Sequence, residues 1–197
     1  GLGQVIDAAI VDGVASLMTQ PYGSLAAGVI GIERGTNPTD SGAPFYDAYE
    51  CSDGRWVSLA AVEEKFYEQA LKVLGLPELL SEQWNKKSWP SAKSKIASRF
   101  KSRNQAQWCQ SFEGVEACFA PVISMDEAVH HPHLAARGVY QEIDGVNQPM
   151  PAPRFSRTPS EKPQPHRPWN PEESIDILGP WLSHEQIEKA CLSHLLD

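Results

Sequence analysis

The chain has 197 residues, of which 41% are apolar and 21% charged, a balance that predicts a soluble, globular protein and excludes an intrinsically disordered one. Seventeen Lys and Arg against 25 Asp and Glu give a formal charge of -8, the opposite of the basic surface a nucleic-acid binder presents. No apolar run reaches membrane-span length and no signal-peptide pattern is found. Cys51, Cys109, Cys118 and Cys191 form no CxxC pair, which predicts reduced thiols in a cytoplasmic protein and neither a zinc site nor a disulfide framework.

Residues 4 to 19 are predicted to be a helix. Val5, Ile6, Ala8, Ala9, Ile10, Val11, Val14, Ala15, Leu17 and Met18 leave hardly any polar face, so this helix wants burial on all sides. Asp12 within it needs a partner if buried, and is either structural or site-lining. The helical pattern starts almost at Gly1, which leads us to expect a longer natural chain. Residues 20 to 43, rich in Gly, Pro, Thr and Ser, read as a connecting arm.

A hairpin is expected next. Phe45 to Cys51 alternates, Ser52-Asp53-Gly54-Arg55 holds the turn, and Trp56 to Ala61 returns. A helix over about Glu64 to Leu74 carries Phe66, Ala70, Val73 and Leu74 on one stripe and ends at Gly75. Trp89, Ala92, Ile96 and Phe100 mark another helix. Asn104 and Gln107 form a capping box for a third, which Gly114 ends. Cys118 to Ile123 is expected to be a buried strand. Ser124 with Glu127 caps a short helix, and Pro132 interrupts that region. Eight of the 16 prolines fall between Asn147 and Pro171, the composition of an extended arm. A final helix starts at Ser183, with Gln186 as its capping partner, and buries Ile187, Ala190 and Cys191.

Three groups could carry chemistry. His130, His131 and His133 read as a metal site or acid–base group, or as a polar helix end broken by Pro132; the second is favoured, because adjacent histidines on one short turn do not converge on one ion. Lys86, Lys87, Lys93, Lys95, Arg99, Lys101 and Arg103 are either a phosphate cradle or a solvated helix face. We favour the face, since the cations lie largely off the Trp89–Ile96–Phe100 stripe. Glu63 and Glu64 sit where a strand hands over to a helix. They are helix-start carboxylates favoured by the dipole, or a carboxylate aimed at a cleft, and sequence physics alone leaves the two even.

Several segments, read together, resemble the family III CoA-transferases. Gly3-Gln4-Val5-Ile6-Asp7-Ala8-Ala9-Ile10-Val11-Asp12-Gly13 looks like the helix that follows the family's catalytic domain. Asp40-Ser41-Gly42-Ala43-Pro44-Phe45-Tyr46-Asp47-Ala48-Tyr49 resembles its DGGAPFYDTY segment, with Ser41 in place of a glycine, and Cys51-Ser52-Asp53-Gly54-Arg55-Trp56-Val57 continues it. Ala61-Val62-Glu63-Glu64-Lys65-Phe66-Tyr67 is similar to AIEPQFY of the racemase branch, with Glu64 replacing proline. Ala117-Cys118-Phe119-Ala120-Pro121-Val122 and Pro149-Met150-Pro151-Ala152-Pro153-Arg154-Phe155-Ser156 complete the match in order. The transferases carry a glycine-rich loop where this chain has Ala60-Ala61-Val62-Glu63, so the resemblance favours the racemase branch.

That resemblance implies epimerisation of the α-carbon of 2-methylacyl-CoA thioesters by proton removal and return, with acyl-CoA as substrate and no cofactor or metal. It implies that the two bases, a His and an Asp, and most CoA-binding basic residues lie upstream of the segment matching Gly1, in an N-terminal CoA-binding domain missing from this chain. This chain alone is then expected to be inactive, and none of its histidines takes the role of base. Glu63 matches a glutamate that supports the catalytic His, Tyr46 and Val62 match positions at the acyl end, and Ile10 and Asp12 match helix positions near the acyl channel. The implied fold is the C-terminal part of an α/β interlocked homodimer. It comprises an N-terminal helix and linker arm (1–43), a small α+β domain (44–140) and a proline-rich return arm with a C-terminal helix (141–197). The rival readings are a family III transferase moving CoA between carboxylic acids, and a non-catalytic binding or dimerisation fragment.

Overall fold

A computed structural model describes residues 3–165 and 178–192. The chain forms two compact units, Gly1–Ser124 and Met125–Asp197.

In the first unit, the alternating segment around Asp53–Gly54 folds as expected. Strands β1 (Tyr46–Glu50) and β2 (Trp56–Ala60) pair antiparallel, with Tyr46 opposite Ala60 and Glu50 opposite Trp56. The backbone N–H of Cys51 closes the turn on the Arg55 carbonyl at 2.7 Å. Strand β3 (Phe119–Val122) joins the other side of β2, giving the order β1-β2-β3. Val57 and Leu59 of β2 point into the core while Trp56 is 46% exposed, the period-two pattern of a sheet with one wet face.

Helices cover the dry face. Helix α3 (Glu64–Leu74) buries Tyr67, Ala70, Leu71 and Leu74, and Gly75 closes it as a left-handed C-cap. The buried face is turned slightly from the expected stripe, leaving Phe66 and Val73 only partly covered. A 3₁₀ segment (Pro77–Glu82) leads to α4 (Trp89–Phe100), which buries the four expected residues Trp89, Ala92, Ile96 and Phe100. Helix α5 (Gln105–Ser111) starts from the full Asn104/Gln107 capping box. Aromatic rings join these layers. Phe100 stacks on Tyr49 at 5.2 Å and meets Trp108 edge-on at 5.3 Å, and Phe112 stacks on Phe119 at 4.0 Å.

Four expectations need correction. The apolar N-terminal segment is not one helix over 4 to 19 but two short ones, α1 (Ile10–Leu17) and α2 (Thr19–Ala26), the second within the expected arm. Pro21 explains the break, because its missing N–H and its ring are incompatible with a turn running back to Leu17. Before α1 there is no side-chain cap, and Val5 and Ile6 are exposed. The 118–123 strand is not buried. It is an edge strand that alternates between half-buried and exposed, since only β2 flanks it in the sheet. In the second unit, part of the expected extended arm is instead a hairpin, β4 (Tyr140–Ile143) with β5 (Val146–Pro149). Asp144 and Gly145, at φ 51° and 77°, supply its left-handed turn.

The second unit also holds α6 (Met125–Ala128), α7 (Pro132–Ala136) with Pro132 in its first turn, and α8 (His184–Leu192). Ser183 and Gln186 cap α8 reciprocally and Ile187 is buried. The side chains of Ala190 and Cys191 lie outside the described residues.

Candidate functional site

The strand-to-helix junction at residues 60–64 is built mainly from backbone contacts. Beyond the last paired residue of β2, the Ala61 N–H donates to the Phe45 carbonyl at 2.9 Å and the Val62 N–H turns back onto Ala60 at 3.0 Å. Gln83, 3% exposed, donates from Nε2 to the Val62 carbonyl at 2.9 Å and reaches the Ala61 carbonyl at 3.5 Å. Glu63 follows as the N-cap of α3 with an extended backbone, and its carbonyl takes the first helical N–H groups, from Phe66 and Tyr67. Its carboxylate makes no cap bond among the described residues and is exposed. The sequence left Glu63 open between a helix-start role and a presented group. The geometry gives a carboxylate that starts a helix without being consumed by it.

Phe45 lies under this junction, fully buried, with rings of Tyr67, Trp84 and Trp89 at 5.7, 5.1 and 5.9 Å. A cleft of about 560 Å³ opens beside the start of α3, lined by residues that include Glu64, Leu80, Gln83 and Trp84. Tyr46, 36% exposed, stands opposite Ala60 at the same end of the sheet, and Val62 is half-buried. The fold thus gathers Tyr46, Val62 and Glu63 at one end of the sheet. Ile10 and Asp12 lie elsewhere, on α1, where both are exposed.

Cys118 precedes β3 in a left-handed conformation (φ 48°) and its carbonyl accepts the Ala60 N–H at 3.0 Å. Cys118 is exposed, yet the partial desolvation of its thiol, together with the nearby carboxylates of Glu63 and Glu116, pushes the pKa up. Sequence reasoning did not place Cys118 or Gln83 here. Neither residue type has a periodic signature, and their positions depend on the pairing of β2 with β3 and on the path of the 3₁₀ segment.

The segment entering β1 is equally constrained. The Asp40 carboxylate accepts the N–H groups of Gly35, Asn37 and Gly42 and the Asn37 side-chain amide, at 2.8 to 3.2 Å. Partial burial raises the Asp40 pKa, but the Asn37 side chain and the three backbone donors outweigh it and hold the group below its ordinary value. Ser41 adopts φ 68°, and Gly42 packs so tightly on Asn37 that an added Cβ would lie 2.6 Å from its carbonyl oxygen. Lys93 of α4 ties the segment down through the Ser41 carbonyl and the Asp47 carboxylate.

Much of the basic stretch is partnered. Lys95 meets Glu78 at 3.7 Å, Lys101 meets Glu50 at 2.8 Å, and Arg103 lies over the Trp108 ring. Distant segments provide the acids that the local sequence lacks. Among the described residues no group of three metal-ligating side chains gathers, and no helix is long and apolar enough to cross a membrane.

A protein of known structure from Brucella suis, described as a CAIB/BAIF family protein, superposes with a TM-score of 0.59 at 20% identity, covering 82% of this chain and 45% of that one. The fold is therefore of the CAIB/BAIF class, here a mixed α/β small domain with small antiparallel sheets. Residues 1–173 match CoA-transferase family III, and the chain belongs to that family. The alpha-methylacyl-CoA racemases of Mus musculus and Homo sapiens are 37% and 38% identical to it over 190 and 191 residues, 95% of this chain in each case. The chain spans about half the length of these curated relatives.

Proposed function

We propose that this chain is the small-domain portion of an acyl-CoA racemase that inverts the α-carbon of 2-methylacyl-CoA thioesters. The observation that carries the reading is Glu63. Its carboxylate is exposed and uncapped at a backbone-fixed junction, at the position where the racemase branch has its supporting glutamate. The 37–38% identity to the mouse and human racemases supports the same choice of branch.

The reaction is a proton exchange with no change of oxidation state. A base takes the α-proton, the C–H electron pair moves into the thioester to form an enolate, and an acid on the opposite face returns a proton to carbon. The bases are the His and Asp that the family resemblance puts outside this chain. Glu63 accepts a hydrogen bond from the imidazole, fixing its tautomer and orientation. Tyr46 and Val62 line the acyl end, with Ile10 and Asp12 near the acyl channel. CoA is carried as part of the substrate and no cofactor takes part. The free thiols Cys51, Cys109 and Cys118 suit a reducing, cytoplasmic setting.

We assign a homodimer to the assembled enzyme. Ile10, Val11 and Leu17 of α1 are 85%, 71% and 83% exposed, an apolar surface that a second subunit would cover.

The test follows deuterium entry at the α-carbon of a 2-methylacyl-CoA in heavy water. This chain alone gives no exchange. In the enzyme that contains it, Glu63→Gln lowers kcat by about 10- to 100-fold and leaves KM nearly unchanged, the scale of losing a group that orients another. Native turnover in that variant would reduce Glu63 to a helix-start carboxylate. CoA transfer to a free carboxylic acid, without α-exchange, would replace the racemase reading with the transferase one.

A further inference from the structure

We infer that Gln83 is a positioning residue for Glu63, resting on the role proposed for that glutamate. The Gln83 side chain is buried between the 3₁₀ segment and the end of β2, and its Nε2 donates to the Val62 carbonyl at 2.9 Å. That carbonyl belongs to the peptide unit whose nitrogen is Glu63's own. The hydrogen bond therefore fixes the plane from which the Glu63 Cα and side chain depart. Among the described residues no cap bond holds the Glu63 carboxylate, so what this hydrogen bond fixes is the backbone from which the side chain departs.

Gln83 is itself held from two sides. Its N–H donates to the Leu80 carbonyl at 3.2 Å, and its carbonyl accepts the Trp89 indole N–H at 2.8 Å. Trp89 begins α4 and packs edge-on against Phe45, whose carbonyl anchors Ala61. The junction before Glu63 is thus clamped by Phe45 on one side and Gln83 on the other, and Trp89 braces both clamps.

The orientation of the amide is chemically determined, because only the NH₂ end can face two carbonyls. Its Oε1 is left buried with no hydrogen-bond partner among the described residues. A buried acceptor without a partner is unfavourable, and an apolar residue of the same size would avoid it. What the glutamine supplies in return is the donor to Val62. A residue needed only to fill space has no reason to carry that amide.

The experiment uses the enzyme that contains this chain and the α-deuterium exchange assay. Gln83→Met keeps the length and removes the donor. It should lower kcat about 10-fold with KM held within about twofold, in line with losing a supporting contact. Gln83→Glu keeps the shape but sets a carboxylate against two carbonyls, and only its protonated form can donate. Its kcat relative to the native enzyme should climb as pH falls, while that of Gln83→Met stays flat. In a Glu63→Gln background, Gln83→Met should change kcat by less than about twofold, since residues acting through one another are not additive. A full loss repeated in that background, or native kcat in Gln83→Met, overturns the inference while leaving Glu63's role intact. Native kcat in Glu63→Gln alone removes that role and the positioning inference with it. A Gln83→Met that fails to fold leaves the Gln83→Glu pH profile to decide, and a flat profile there also overturns the inference.

Discussion

Replacing Gly42 with alanine tests how tightly the segment entering the sheet is built. The added methyl would sit 2.6 Å from the Asn37 oxygen, 2.7 Å from its nitrogen and 2.8 Å from the Thr36 carbonyl carbon, all backbone atoms. None of these can yield alone. The Asn37 N–H and side-chain amide are bound to Asp40, and its Oδ1 accepts the Gly31 N–H at 2.8 Å. Relief requires the loop to open. Overpacking of this kind costs about 1–3 kcal/mol, and at least one lost hydrogen bond adds about 1 kcal/mol. We expect Gly42→Ala to destabilise the protein by about 2–4 kcal/mol, which for a chain of this size lowers Tm by about 4–16 °C. Thermal unfolding followed by circular dichroism measures it directly. A Tm within about 2 °C of the native value would mean that the loop yields freely and that its hydrogen bonds do not hold it as described.

The neighbouring change should act the other way: Ser41→Gly relieves a side chain held at φ 68° and should add up to about 1 kcal/mol, less the extra freedom glycine gains when unfolded, read as a small rise in Tm. Asp40, whose pKa is lower folded than unfolded, contributes stability that is present above its ordinary pKa near 4 and is lost as pH falls through the folded value; Asp40→Asn should therefore flatten the acid limb of a stability-against-pH curve below about pH 4. Asn104→Ala removes the capping box of α5 and should lower stability by about 1 kcal/mol in denaturant titration, with Asn104→Ser recovering most of it.

Elements whose signals are local were legible in the sequence. The Asp-Gly turn between alternating strands, the Trp89–Phe100 stripe and the Asn104/Gln107 box each fix a structure from residues a few positions apart. Features that depend on distant partners were not. Strand β3 was expected to be buried because its residues are apolar, yet its place at the sheet edge is decided by topology. The β4–β5 hairpin was hidden by the prolines around it, although Asp144–Gly145 carried the same turn signal that located the first hairpin. The N-terminal helix was drawn too long because the apolar residues from Val5 to Ala9 continue its pattern, whereas the described helix starts only at Ile10. At the candidate site, Glu63 was singled out by its place between strand and helix, and the role proposed for it came from family resemblance. Gln83 gave no signal at all. A glutamine between Glu82 and Trp84 looks like surface, and only the fold turns it inward.

The junction before Glu63 is held through the backbone groups of Ala61 and Val62, not through their side chains. Backbone anchors do not depend on which residue is present, provided the chain conformation is kept. Substitution at residue 62 can therefore change the side chain presented beside Glu63 without moving the backbone from which that glutamate departs. A surface built this way can exchange its side chains in single steps while the frame that carries them stays where it was.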